Sequence, residues 1–149
     1  MRTINNLLQS SLKVNITDAV GNAIENSKEV LIQQQQDQMS SGFGSDNKSI
    51  NPLHGLYEGY AESTKRIKRS KGQISQWVTL KDKNDFYNGI FVDQRADEFV
   101  IDSADSKTQG LIDYYGDTIF GFNDESRKDL KEPLSNALIT GVESTINMR

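Results

Sequence analysis

The first forty residues place apolar side chains three or four positions apart, which is the spacing of an amphipathic helix. The positions that follow this spacing are Ile4, Leu7, Leu8, Leu12, Ile16, Val20, Ala23, Ile24, Val30 and Leu31. The polar and β-branched stretch 14–17 interrupts the period, and Asn15 or Thr17 can cap a new helix start. The pattern therefore predicts one long helix or two consecutive helices from about residue 3 to residue 39. The short glutamine run 33–36 is interpreted as the exposed end of that helix.

The middle of the chain is predicted to be irregular before a short basic helix begins. Residues 40–47 have the composition of a loop, and Pro52, Gly55 and Gly59 favour an irregular or extended chain up to residue 60. Residues 61–69 then fit a short helix, which Lys71 and Gly72 would end.

A β-hairpin is predicted in the second half of the chain. Residues 77–80 are β-prone, and the polar residues 82–85 suit a turn. A strand begins at 90–92, the chain turns at 95–98 and a second strand follows at 99–101, which is a hairpin pattern. Residues 106–115 are then predicted to form a helix that Ser106 or Asp105 caps and Gly116 ends, although Gly110 weakens its middle.

The most regular apolar period lies between residues 123 and 146. Asn123 is a good helix N-cap, and Asp124 and Glu125 stand in the first turn, where the helix dipole favours negative charge. Pro133 lacks an amide hydrogen, so it should kink or split this helix near Lys131. The apolar positions recur every fourth residue, at Leu130, Leu134, Leu138, Val142 and Ile146.

Together these elements predict an α+β fold. A small antiparallel sheet, built around the 90–101 hairpin, should pack against the long N-terminal and C-terminal helices. The 149 residues suit one domain, with a helical part at 1–39, a loop at 40–60 and an α+β part at 61–149. Only 35% of the residues are hydrophobic, which indicates a thin core that gains stability from neighbouring subunits. Long polar arms would give the same composition.

Composition narrows the chemistry that the chain can perform. The net charge of −4 and the pI of about 5.0 argue against a general nucleic-acid binder, but they allow a local basic patch. The chain has no cysteine, which excludes disulfides, thiolate nucleophiles and cysteine zinc sites. No apolar run has the length of a signal peptide or a membrane span, so we expect synthesis in the cytoplasm and no membrane contact.

Three short motifs offer candidate chemistry, and each has a plainer explanation. His54 is the only histidine, and its proline and glycine neighbours indicate a loop residue. Gly42–Asp46 has the glycines of a phosphate loop but lacks its lysine ending and follows no predicted strand, so a flexible connector is favoured. Asp102 and Asp105 lack the spacing of a calcium loop. We therefore expect no catalytic, cofactor or metal site.

The strongest charge cluster lies in and just after the predicted basic helix. Basic residues interleaved with aromatics can bind nucleic acid, whereas a solvated face or a contact with an acidic protein needs only the charge. Because the whole chain is acidic, we expect the cluster to bind a protein partner, and DNA is the alternative. The candidate partner-binding residues are Lys65, Arg66, Lys68, Arg69, Lys71 and Trp77.

Several motifs follow one another in a fixed order after Tyr60. Thr64, Lys68, Lys71 and Gly72 form a Thr…Lys…Gly stretch. Residues 80–90 then have the spacing Leu-x-x-Thr-Gly-x-Leu-x-x-Ser-Ile, the hairpin comes next, and residues 111–116 end in Tyr-Tyr-Gly. This order resembles the phage virion-morphogenesis and tail-completion superfamily over about the last two-thirds of the chain.

Residues 80–90 depart from the pattern of that superfamily at some positions. Lys83 stands at the threonine position and Gly89 at the serine position, and Phe86 replaces leucine. Asn84 stands where the family has glycine. Because asparagine also tolerates a left-handed backbone, we expect the turn to be kept.

The resemblance implies a structural virion protein that acts by assembly and not by catalysis. Such a protein would form a homo-oligomeric ring in the head–tail connector, or neck, between portal and tail. Its expected partners are its own copies and other phage neck, portal or tail proteins, with DNA in the channel as an alternative contact. It would be made in the host cytoplasm and end in the virion. The alternative function is a small phage or bacterial nucleic-acid-binding protein that uses residues 65–71.

Overall fold

The computed structural model describes the backbone of residues 16–96 and 98–147 and the side chains of residues 16–96 and 98–143. The predicted helix before residue 16 and the side chain of Ile146 lie outside these ranges. The described helices are α1 at 16–26, α2 at Lys28–Ser40, α3 at Glu62–Ser70, α4 at Asp85–Asn88, α5 at Thr108–Tyr115 and α6 at Asp124–Asn147. Strands β1 at Ile90–Arg95 and β2 at Glu98–Ser103 are antiparallel, and a 3₁₀ turn covers Asp117–Ile119.

The hairpin forms where the sequence predicts it, and the α+β fold is confirmed. The two strands pair from Ile90 opposite Ser103 to Arg95 opposite Glu98. Their inward side chains are buried in the core, namely Ile90, Val92 and Ile101. Because the strand period is two, the residues between these positions, such as Phe91 and Val100, point outward.

Helices from both ends of the chain pack against the hairpin. A side chain on Gly21 of α1 would overlap that of Gln94 in β1, so the two backbones approach closely there. Phe99 of β2 packs on Phe122, which lies just before α6, with 6.3 Å between ring centroids. A two-stranded hairpin is marginal alone, and these helices supply the packing that stabilises it.

The N-terminal pattern forms two consecutive helices, but they separate at Ser27. Residues 16 and 17 are helical, and the rest of the expected break at 14–17 lies outside the described residues. Ser27 lies between α1 and α2, and its side chain is buried. Leu31 and Met39 of α2 are fully buried and anchor this helix in the core.

The glutamine run lies inside α2 and contacts a distant segment. Gln35 is fully buried, donates from Nε2 to the carbonyl of Ile119 at 3.0 Å and accepts from the amide of Gly121 at 2.9 Å. Gln38 bonds the carbonyl of Gly121 at 2.9 Å and the amide of Asn123 at 2.8 Å in the same way. The expectation of an exposed helix end is therefore wrong, because these amides satisfy backbone groups that no strand covers.

The β-prone residues 77–80 form no strand. Leu80 has a φ of +57°, which a ladder does not tolerate, and Val78 and Thr79 are buried. Two tyrosine hydroxyls hold this segment in place of a neighbouring strand, as described below. Propensity alone suggested a strand, but no strand of the described residues pairs with this segment.

The helices after the hairpin agree with the sequence except at the start of α5 and at Pro133 in α6. α5 begins at Thr108 and not at Ser106, because Asp105 Oδ1 accepts from the Lys107 amide at 2.7 Å in a turn before the helix. Gly116, with a φ of +96°, ends α5 as expected.

α6 is capped by Asn123, whose Oδ1 accepts from the Ser126 amide at 2.9 Å. Pro133 does not split it, since α6 runs without interruption from Asp124 to Asn147. Proline cannot donate the usual helical hydrogen bond. Pro133 is half-exposed, so water can reach the carbonyl that this bond would have used. The apolar stripe is buried at its start, at Leu130, and is exposed further along the helix, at Val142.

Candidate functional site

The predicted basic helix is present as α3, and it ends as the sequence indicates. Gly72 has a φ of +67°, which suits a residue just past a helix end. Its amide donates to the carbonyl of Arg69 at 3.1 Å, and the amide of Gln73 donates to that of Lys68 at 2.9 Å. This closure fixes the backbone of α3 relative to the segment that follows.

Lys68 is the basic residue that faces the protein. It is only 7% exposed, and its Nζ donates to the carbonyl of Lys81 at 2.5 Å and to Gln73 Oε1 at 3.4 Å. The ammonium also lies 4.7 Å from the ring centroid of Tyr60, within cation–π range. Lys68 therefore fastens the 73–82 segment to α3 and offers little surface to a partner.

Two tyrosine hydroxyls fix the same segment from inside. Tyr60 accepts from the amides of Thr79 at 2.9 Å and Leu80 at 3.2 Å. Tyr87 donates to the carbonyl of Thr79 at 2.5 Å, and burial raises the pKa of Tyr87. Burial also raises the pKa of Tyr115 to about 12. The raised pKa of Tyr87 follows from a structural hydrogen bond in the core and marks no proton-transfer site.

Lys65 and Lys71 are paired with carboxylates of their own chain. Lys65 Nζ lies 2.8 Å from Glu62, and Lys71 Nζ lies 2.5 Å from Asp82. The hydrogen bond from Lys65 lowers the pKa of Glu62, and that from Lys71 lowers the pKa of Asp82. Both pairs are open to solvent, so they add little stability and can exchange partners.

Arg66 and Arg69 form the exposed part of the basic cluster. They stand three residues apart on the solvent side of α3, and neither makes a salt bridge to any described side chain. Ile67 is 55% exposed and lies about 100° around the helix from Arg66, on the side away from Arg69. An apolar side chain next to a guanidinium group can bind a surface that is partly apolar and partly negative.

Trp77 is committed to the loop that follows α2. Its Nε1 donates to the carbonyl of Ser40 at 2.9 Å. Its ring lies against Gly42, where a side chain would overlap it and where φ is +84°. The indole remains 41% exposed, so it stabilises the loop and keeps an open edge.

The sequence gives one signal that the five cations do not share a face. Successive residues of an α-helix are about 100° apart, so Arg66 and Lys68 point in nearly opposite directions. The six predicted residues are therefore divided by the structure. Arg66 and Arg69 lie on the open surface, Lys65 and Lys71 are paired, Lys68 is buried, and Trp77 supports a loop. Their role in partner binding stays a prediction.

The other three motifs considered in the sequence lie in loops or at the end of β2, and their side chains are exposed or bond the local backbone. His54 is exposed in the loop before α3. Asp46 Oδ1 accepts from the Lys48 amide at 3.2 Å within the glycine-containing loop, and Asp102 Oδ1 accepts from the Ser103 amide at 2.7 Å. Within residues 16–96 and 98–143, no group of three or more His, Asp or Glu side chains could hold a metal ion.

Comparison of the chain with protein-family models, with curated proteins and with solved structures gives no significant match. Among the described helices, none is long and apolar enough to span a bilayer. The functional argument therefore rests on the residues and on their geometry.

Proposed function

We propose that this chain is a structural protein of a phage virion, which assembles as a ring in the head–tail connector and catalyses no reaction. The observation that carries the proposal is the conformation of residues 80–90, where the sequence resembles the tail-completion superfamily. Asn84 has φ +69° and ψ −2°, the left-handed conformation expected at the family's glycine position. Leu80, Phe86 and Ile90 are buried, as apolar positions of such a motif require.

The departure at Gly89 has a structural explanation. A side chain here would lie 2.7 Å from Ser103 Oγ and 3.0 Å from the Asp105 amide. The Ser103 hydroxyl fills that space, donates to the carbonyl of Phe86 at 2.9 Å and accepts from the Asp105 amide at 3.3 Å. A hydroxyl on β2 therefore stands where the resemblance would place one on residue 89, which supports a related turn.

Exposed apolar side chains support assembly with neighbouring subunits. Ile139 and Val142 are exposed on α6, and Phe91 and Val100 are exposed on the hairpin. Such residues are covered when copies pack side by side in a closed ring.

Disruption of the gene in the phage that encodes the protein tests the proposal. We expect filled heads and free tails to accumulate, and the wild-type protein supplied from a plasmid to restore joined particles. A stop codon at Lys28 removes every residue of the core cluster except Ile24 and is the suitable null allele. Normal joined and infectious particles from that mutant would overturn the proposal.

The alternative, a nucleic-acid-binding protein, is favoured by the exposed Arg66 and Arg69. Fluorescence anisotropy with a labelled DNA duplex tests it. Binding that weakens steeply with salt and is lost in Arg66→Glu/Arg69→Glu would support this alternative, whereas a chain that leaves the anisotropy unchanged at low salt would exclude it.

A further inference from the structure

We infer that α3 of one copy docks on the outward side of the hairpin of a second copy, in a head-to-tail contact. The inference rests on the proposed ring in the sense that this contact would link its neighbours. Two faces of the same chain lead to it, because they carry opposite charge and each exposes a large apolar side chain.

The charge of the chain is strongly divided along the sequence. Residues 62–83 contain seven lysines and arginines against two acidic residues, an excess of five positive charges. Residues 84–125 contain ten acidic residues against two basic ones, an excess of eight negative charges. The net charge of −4 therefore hides a basic region and an acidic region that attract each other between copies.

The outward side of the hairpin has an apolar centre and three carboxylates, of which Asp93 pairs with Arg95 at 3.0 Å. Phe91 and Val100 are 41% and 39% exposed, which is unusual for large apolar side chains in the middle of strands. Register places Phe91 beside Asp102 and Val100 beside Asp93. We call this surface the hairpin face, and its residues are Phe91, Asp93, Arg95, Glu98, Val100 and Asp102.

α3 presents the opposite charge beside an apolar side chain of its own. Arg66 lies near the middle of the solvent side of α3, with Ile67 at one edge and Arg69 at the other, and the small residues Ser63 and Ser70 leave that side open to a close approach. We call this surface the α3 face, and its residues are Ser63, Arg66, Ile67, Arg69 and Ser70. Ile67 can pack on Phe91 and Val100 while the guanidinium groups meet the carboxylates around them.

The distribution of charge favours a head-to-tail contact over a two-fold one. Two α3 faces would bring arginines together, and two hairpin faces would bring carboxylates together, so both symmetric pairings are repulsive. An α3 face on a hairpin face pairs opposite charges. Because every copy carries both faces, this contact repeats from copy to copy and forms a ring when the rotation closes.

Charge exchange between the two faces tests the inference on the purified chain by sedimentation velocity. We expect the wild-type protein to self-associate at 50 mM NaCl and to do so about tenfold more weakly at 500 mM NaCl. Arg66→Glu/Arg69→Glu makes both faces negative, and Asp93→Lys/Glu98→Lys makes both positive. Each variant alone should lose association by about a hundredfold or more.

An equimolar mixture of the two variants should associate again, because every contact in an alternating assembly pairs opposite charges. Lys128→Glu/Lys131→Glu is the matched control, since it makes the same charge change at two exposed positions three residues apart on α6. It should associate like the wild type.

Failure of the mixture to associate, equal loss in the control, or a wild-type chain that stays monomeric up to about 1 mM would overturn the inference. If Arg66→Glu/Arg69→Glu abolishes DNA binding but leaves self-association unchanged, the inference is also overturned. The mixture of variants could associate while the null phage still forms normal particles. That pair of results would reject the neck function but support the contact between α3 and the hairpin.

Discussion

Lys68 and Gln35 are polar side chains whose hydrogen bonds hold the backbone of distant segments. Lys68 reaches the carbonyl of Lys81, and Gln35 reaches the backbone at Ile119 and Gly121. A buried polar group costs free energy unless it is paired, and every buried side-chain nitrogen and oxygen of the described residues has a partner. These side chains therefore hold backbone segments that are not paired in the β1–β2 sheet.

The left-handed turn at Asn84 gives a paired prediction. Asn84→Gly should be neutral or raise the free energy of unfolding by about 0.4–1 kcal/mol at most, because glycine adopts this conformation without strain. Asn84→Val should lower it by about 1–2 kcal/mol, because a β-branched side chain disfavours positive φ. Chemical denaturation of both variants measures the difference, and equal midpoints would contradict the turn.

Burial of Lys68 gives a second prediction. Lys68→Met keeps the length of the side chain but removes the donor to the Lys81 carbonyl and the cation over Tyr60. It should lower the free energy of unfolding by about 1–3 kcal/mol. Arg66→Met, at an exposed site of the same helix, should change it by less than about 0.5 kcal/mol. Urea unfolding of the two variants decides whether Lys68 is a structural residue, and similar losses would show that it is not.

The buried tyrosines make stability depend on alkaline pH. Folding raises the pKa of Tyr115 to about 12 and raises that of Tyr87 as well, since burial disfavours the phenolate. The unfolded chain releases these protons near pH 10, so between pH 10 and 12 the folded state binds more protons and stability falls as pH rises. Absorbance at 295 nm follows the ionisation of all five tyrosines, and the part of the signal from Tyr87 and Tyr115 should appear only together with unfolding. Ionisation of all five in the folded protein would contradict this.

At the scale of elements, local signals succeed where the cause of a structure is local. The Asn123 cap, the Gly72 helix end and the left-handed Asn84 each depend on a few neighbouring residues, and the sequence predicts all three. The hairpin also follows from alternation within a dozen residues. The predicted strand at 77–80 does not form, because a strand needs a partner strand. Two tyrosine hydroxyls bond this segment instead.

The site shows the same division. That α3 is a basic helix follows from composition, but that Lys68 faces inward depends on where Tyr60 and Lys81 lie in the fold. The glutamine run is likewise predicted to be a polar helix end, because the segment that it contacts, 119–123, is more than eighty residues away in the sequence.

The junction between α2 and the segment before α6 gives a prediction at this scale. Gln35→Met keeps the side-chain volume but leaves the Ile119 carbonyl and the Gly121 amide unpaired in the core. The free energy of unfolding should fall by about 2 kcal/mol or more. Gln33→Met, which removes only an exposed bond to Asp37, should have little effect. Thermal unfolding of both variants tests the junction, and equal melting temperatures would contradict it.

At the scale of the whole molecule, surface and charge explain why assembly is the proposed function. The apolar stripe of α6 is buried at Leu130 but exposed at Val142, and the hairpin exposes Phe91 and Val100. A basic region and an acidic region lie on the same acidic chain. Exposed apolar side chains are costly for an isolated subunit, and in a ring the neighbours would cover them and pair the opposite charges.

Cryo-electron microscopy of the intact particle tests the neck proposal most directly. The account predicts a closed ring of copies of this chain between portal and tail, with the hairpin and the left-handed turn at Asn84 recognisable in each copy. Mass spectrometry of the same purified particles should detect peptides from residues 84–95. Particles whose neck density is fully accounted for by other proteins, and in which these peptides are absent, would contradict the account.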